Sequence, residues 1–168
     1  MAELNNFTYA RLQKLAVIVF VCCIIVLFLS GFDTIKSKAR DVKRQADIKV
    51  LTKALDLHHD KHGEYPDSIN DWQGWDLSII YNGGSAEFIN KLKEENFIDR
   101  ETKDPINDFS YHYRYQKFQA GDYGCENSFY ILQIVNFELS TGNNGRGECP
   151  ELNWAEMAPN GYTAQGFD

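Results

Sequence analysis

The sequence predicts an α+β protein in which a long N-terminal helix, transmembrane in its first half and amphipathic in its second, packs on a small antiparallel β-sheet. Three observations carry this. Residues 15–32 (LAVIVFVCCIIVLFLSGF) hold no charge over 18 positions. Residues 33–62 contain neither Pro nor Gly and repeat apolar side chains at helical spacing. Two later segments, starting at Phe109 and Ser128, carry the aromatic and β-branched patterning of strands.

At 1.5 Å per residue the apolar run spans roughly 27 Å, close to the hydrocarbon thickness of a bilayer. Leu15, Val17, Phe20, Ile24, Leu27 and Phe32 are the expected anchor residues. The run is long for a signal-peptide core, and Leu29-Ser30-Gly31-Phe32 is a poor small-residue cleavage site. A retained single-pass anchor over residues 15–32 is therefore expected, with residues 1–14 as a short flank. Cys22 and Cys23 fall inside it as small apolar residues.

Residues 33–62 continue the helix. Apolar positions 35, 39, 42, 46, 50, 54 and 57, with a second row at 48, 51 and 55, predict the face that seats a globular domain. Lys43, Asp47, Lys49, Lys53 and Asp60 are expected on the opposite side. Gly63 supplies the left-handed stop, and Pro66 forbids continuation.

The body of the domain follows over residues 63–149. Tyr65-Pro66, Trp72 and Trp75 are the expected packing anchors of a loop-rich stretch. A short helix over about residues 85–96 would bury Phe88, Ile89 and Leu92, with Ser85 as its N-cap. Asp104-Pro105 opens a turn, after which Phe109, Tyr111, Tyr113 and Tyr115 alternate as one aromatic face, with Phe118 a step out of phase. Residues 121–127 read as a turn, residues 128–139 (SFYILQIVNFEL) as a strand, and residues 141–147 as a glycine-rich loop. The tail, residues 150–168, shows little regular pattern.

Charge divides the chain. Residues 1–53 balance at +5 and residues 54–168 at −12, which sum to the net −7. An acidic outer domain argues against nucleic acid as its partner, because phosphate binding needs Lys and Arg. The basic collar Lys36, Lys38, Arg40, Lys43 and Arg44 suits anionic lipid headgroups, so the bilayer is the expected partner. The same collar, counted by the positive-inside rule, would hold the domain in the cytoplasm. Cys125 and Cys149, in the turn-rich contexts GDYGCEN and GRGECPEL, point the other way if they form a disulfide, a bond that persists outside the cytosol; two free thiols in a reducing compartment are the alternative.

His58 and His62 stand four apart, a spacing at which two imidazoles on one helix face can share a metal, with Asp60, Glu64 or His112 to complete a set. The competing reading is a polar helix end favoured by the C-terminal dipole, and no metal is expected. Asp99, Glu101, Asp104 and Asp108 gather around one turn without the fixed steps and central glycine of an EF-hand. A solvated acidic turn and a calcium loop of another kind are the alternatives there. No G-x-S-x-G, Walker or G-x-G-x-x-G motif is present, and no catalytic residue is expected.

The order of these features resembles the type IV pilins and the pseudopilins of type II secretion. A membrane helix runs into ARDVKRQADIKVLTKALDLHHDKHGEYPDS, which closes with Ala54, Leu55, Leu57, Gly63, Tyr65 and Pro66. A small helix (EFINKLKEENFI), the turn KDPIND and the strand YHYRY follow. The resemblance spans about residues 15–140. It implies a pilin-like fold and a non-enzymatic structural subunit, held in the cytoplasmic membrane with an extracytoplasmic domain and packing against like subunits through its N-terminal helix. A monomeric anchored binding or adhesion module of the same shape is the alternative. Residues 9–14 (YARLQK) carry neither the glycine at which the family's peptidase cuts nor the glutamate of its mature helix. Peptidase processing is therefore not implied.

Overall fold

In the computed structural model, which describes residues 2–69, 71–81, 84–99, 102–142 and 149–168 (side chains of 2–10, 27–30, 81, 84 and 85 excepted), helix α1 runs from Ala2 to His62. Gly63, at φ +77°, ends it, its N–H bonded to His59 O at 2.7 Å. The remaining elements are β1 (Asp76–Leu77), β2 (Ile80–Tyr81), β3 (Gly84–Ser85), α2 (Glu87–Glu94), β4 (Tyr113–Phe118), β5 (Phe129–Ile134) and β6 (Tyr162–Phe167), with short 3₁₀ turns at Asp122–Gly124 and Trp154–Met157. The chain divides into two compact units, Met1–Lys38 and Ala39–Asp168.

The first unit is helix alone. Leu15, Val17, Phe20, Ile24 and Phe32 are all exposed, and nothing in the apolar window, of mean hydropathy 3.1, is buried. This is the protein's one helix, among the described residues, long and apolar enough to cross a membrane. The Leu27 side chain lies outside the described residues.

The second unit is α+β. An antiparallel sheet of order β1-β4-β5-β6 packs one face on the later part of α1, and β2 and β3 form a separate small ribbon. In the sheet Tyr113 opposes Ile134 and Tyr115 opposes Leu132, so their side chains share the face toward α1. There they meet Ile48, Leu51, Ala54 and Leu55 of α1 and Phe88, Ile89 and Leu92 of α2. Phe118, out of phase in the sequence, opposes Phe129 on the other face. It joins Trp75, Leu77, Ile131, Trp154 and the two sulfurs of Cys125 and Cys149 in a second core.

Trp72, expected as a packing anchor, is exposed, and four further expectations change. The face of α1 turned to the sheet carries Asp41, Arg44, Asp47, Ile48, Leu51, Ala54, Leu55 and His58. Of the broader predicted row only Ala54 is buried, whereas Val42, Val50 and Leu57 are exposed. Asp47, assigned to the solvent side, is buried beneath Lys43 and the Tyr113 hydroxyl. Helix seating is thus decided by an ionic lock as well as by apolar periodicity. Helix α2 is not capped by Ser85, whose backbone pairs with Ile80 in the ribbon. Its first N–H groups, on Glu87 and Phe88, donate to the Asp76 carboxylate at 3.1 and 2.8 Å, an N-cap supplied from β1.

The aromatic strand begins only at Tyr113. Phe109 is exposed, and Asp108 folds the chain back by accepting the N–H groups of Ser110 and Tyr111. The tail is ordered: Trp154 fills the second core and β6 pairs along all of β5. Its alternation was hard to see because Ala164 and Gly166 are small where they face α1. Gly166 has to be small, since a Cβ there would sit 2.3 Å from the Tyr130 ring. The glycine-rich loop falls largely within residues 143–148, outside the described residues.

Candidate functional site

The chemistry of the chain gathers along α1. Nearest the sheet's far corner, Arg44 is fully buried and donates through Nε and Nη2 to the two Asp104 oxygens at 2.6 and 3.0 Å. Its Nη1 reaches Asp41 at 2.8 Å and Glu138 at 2.9 Å, and its guanidinium lies 4.8 Å from the centre of the Tyr111 ring. Arg40 forms a fork on Glu138 at 2.7 and 2.5 Å. Burial alone would lower the Arg44 pKa; Asp104, Glu138 and Asp41 outweigh it and hold the group charged.

Asp41 does two jobs. Besides meeting Arg44, it accepts the backbone N–H groups of Glu138, Leu139 and Ser140 at 2.8–2.9 Å. Burial would push its carboxyl up, but these donors and Arg44 hold it at about 2. The cluster clamps two irregular segments, the turn at Asp104 and the exit from β5, onto the helix. Asp104 also accepts from the N–H groups of Ile106 and Asn107, so its oxygens are spoken for within the protein. Of the predicted acidic turn, Asp108 closes its own loop, and Glu101 lies outside the described residues.

The other face of α1 is different. Val42, Ala46, Val50 and Leu57 are exposed along it, between Lys43, Lys49 and Lys53. Among the described residues nothing covers this apolar row.

At the C-terminal end of α1 the structure brings His58 and His62 together, their ring centres 4.4 Å apart. The third group beside them is Glu95, the C-cap of α2, rather than Asp60, Glu64 or His112. His62 Nε2 lies 2.5 Å from one Glu95 oxygen, and His58 Nε2 lies 3.6 Å from the other. Lys61 Nζ also reaches Glu95, at 3.2 Å. Burial lowers the His58 pKa, against the pull of the Glu64 carbonyl and of Glu95. No signal in the sequence picks out Glu95, because only the folding of α2 across the end of α1 places it there. His112 is elsewhere, with Nδ1 on the carbonyl of Asp108.

Cys125 and Cys149 are bonded, their Cα atoms 5.0 Å apart. The bridge lies in the second core beside Gln165 of β6, whose amide lies 3.4 Å from the Cys149 sulfur. Neither a protein-family model, nor a curated protein, nor a solved structure matches the chain.

Proposed function

We propose that this chain is a membrane-anchored, pilin-like structural subunit without enzymatic activity, its domain held outside the cytoplasmic membrane. The observation that carries this reading is the division of labour along α1. One stretch is apolar and uncovered over a membrane's thickness; the later stretch is seated on a four-stranded sheet while keeping an uncovered apolar row. Val42, Ala46, Val50 and Leu57 would meet the equivalent helix of a like subunit, continuing outside the bilayer the contact that the apolar segments make within it.

Two features support the orientation. The Cys125–Cys149 bond fits an oxidising compartment. The basic collar is also weaker than its count, since Arg44 is buried among three acids and Arg40 is engaged by Glu138.

The test is shear fractionation of cells that express the protein, followed with an antibody to residues 39–168. Recovery in the sheared filament fraction supports assembly and an outside domain. Retention of all the protein in the membrane pellet sinks the filament reading. A monomeric anchored binding module then leads, the reading that residues 9–14 favour by lacking the family's glycine and glutamate.

A further inference from the structure

We infer that His58, His62 and Glu95 form a binding site for a zinc-class divalent cation at the junction of α1 and α2. All three ligand atoms lie within 4.8 Å of one another. Two imidazoles and one carboxylate are a ligand set for zinc, with a fourth position open to water.

The tautomer of His58 is the independent observation. Its Nδ1 lies 2.9 Å from Glu64 O, and a carbonyl can only accept, so Nδ1 carries the proton. In the neutral ring, Nε2 then holds a lone pair. That atom is buried without a hydrogen-bond partner in a residue only 4% exposed. It faces a Glu95 oxygen at 3.6 Å, beyond hydrogen-bond range, so a lone pair looks at a carboxylate. A cation between them resolves this. Metal-bound histidines commonly fix the ligating nitrogen by donating the other N–H to a carbonyl or carboxylate.

The surroundings agree in sign and geometry. His58 and His62 lie in the last turns of α1, and Glu95 is the residue that ends α2. Two helix C-termini, each carrying partial negative charge, therefore converge on the site. Ligands of a tetrahedral zinc stand about 3.3 Å apart, given bonds of about 2.0 Å. The 3.6 Å separation from His58 is close to this, and the 2.5 Å contact of His62 has to open by about 0.8 Å to admit the ion. Phe97 packs edge-on to His58 and closes one side. Lys61 is the native competitor, its ammonium on the Glu95 oxygen where the metal would sit.

The test uses the full chain in detergent, stripped with a chelator, dialysed and titrated with Zn²⁺ by calorimetry. Co²⁺ in a parallel sample reports the ligands through its visible absorption. We expect one Zn²⁺ per chain at micromolar affinity or tighter, with a Co²⁺ spectrum of nitrogen and oxygen ligands and no thiolate charge transfer. His62→Ala and Glu95→Gln, both at partly exposed positions, should each weaken binding at least about tenfold. Lys61→Ala should tighten it. His59→Ala, whose ring faces Asp168 instead, and Cys22→Ala with Cys23→Ala should leave it unchanged. Binding well below one equivalent, or binding indifferent to both His62→Ala and Glu95→Gln, overturns the assignment.

Discussion

Arg44 of α1 and Asp104, 60 positions further along the chain, form a two-pronged ion pair in which neither side chain reaches solvent. Each charge is expensive to bury alone and inexpensive to bury with the other. Asp104→Ala, which leaves Nε and Nη2 of the guanidinium without acceptors while Asp41 and Glu138 still hold Nη1, should therefore cost about 1–3 kcal/mol. Replacing both partners together with Met and Leu should cost clearly less than the sum of the single changes. Urea unfolding followed by tryptophan fluorescence measures both, and strict additivity would refute the coupling.

Asp41 sets the acid limit. Its carboxyl sits at about 2 in the folded chain against an ordinary 3.8, so the unfolded state binds more protons between these values. Stability from this group is fully present above about pH 4 and is lost as pH falls through 2, a contribution of about 2 kcal/mol. Asp41→Asn should flatten that part of the stability–pH curve, measured by thermal unfolding between pH 2 and 5.

Asp76 acts in the opposite sense. Burial raises its carboxyl to about 7, against the N–H groups of Phe88 and Glu87 that favour the ionised form. The folded state therefore binds more protons between about pH 4 and 7, and stability falls as pH rises across that window. In Asp76→Asn this decline should largely disappear. Asp76→Ala, which leaves two N–H groups at the start of α2 without their acceptor, should instead cost about 1–2 kcal/mol at every pH.

The disulfide joins cysteines 24 positions apart. Reduction should lower stability by roughly 3 kcal/mol, because the open loop regains entropy in the unfolded chain. Its effect should appear first in the second core, read as increased exposure of Trp154 to a soluble quencher. An unchanged unfolding midpoint after full reduction would contradict this.

Gly161 precedes β6 at a point where a Cβ would lie 1.9 Å from the Ile134 carbonyl oxygen. Gly161→Ala must therefore displace backbone rather than a pliable side chain, with an expected cost of at least about 1–3 kcal/mol. Gly31→Ala, with nothing within 4 Å of its added carbon, is the control and should be neutral or better. Amide exchange along residues 162–167 distinguishes a local loss of strand pairing from global unfolding.

Periodicity made the large elements legible: α1 with its stop at Gly63, the buried face of α2, and the paired strands β4 and β5. Phe118, a step out of phase in the sequence, changes sides of the sheet in the fold. The face of α1 was less legible, because apolar spacing says nothing about a buried guanidinium whose partners are sixty and ninety-four positions away. The cap of α2 was misplaced for a related reason. A local serine is the default, but the acceptor arrives from a neighbouring strand at Asp76. β6 escaped notice since two of its three residues on the α1 side, Ala164 and Gly166, are small, and small residues carry no hydrophobic signal. His58 and His62 were visible by spacing, whereas Glu95 became their neighbour only through tertiary folding.

The placement of β6 beside β5 bears on how the domain is made. The side-chain oxygen of Gln133 of β5 accepts from Arg114 of β4, but its amide nitrogen donates to Trp154 O and Thr163 Oγ1, both supplied by the last stretch of the chain. A nascent domain can dock its hairpin on α1 early, yet one edge of its central strand stays open until those residues emerge. If the domain lies outside the membrane as proposed, its chain crosses before those residues arrive, and its sheet is completed only on the far side.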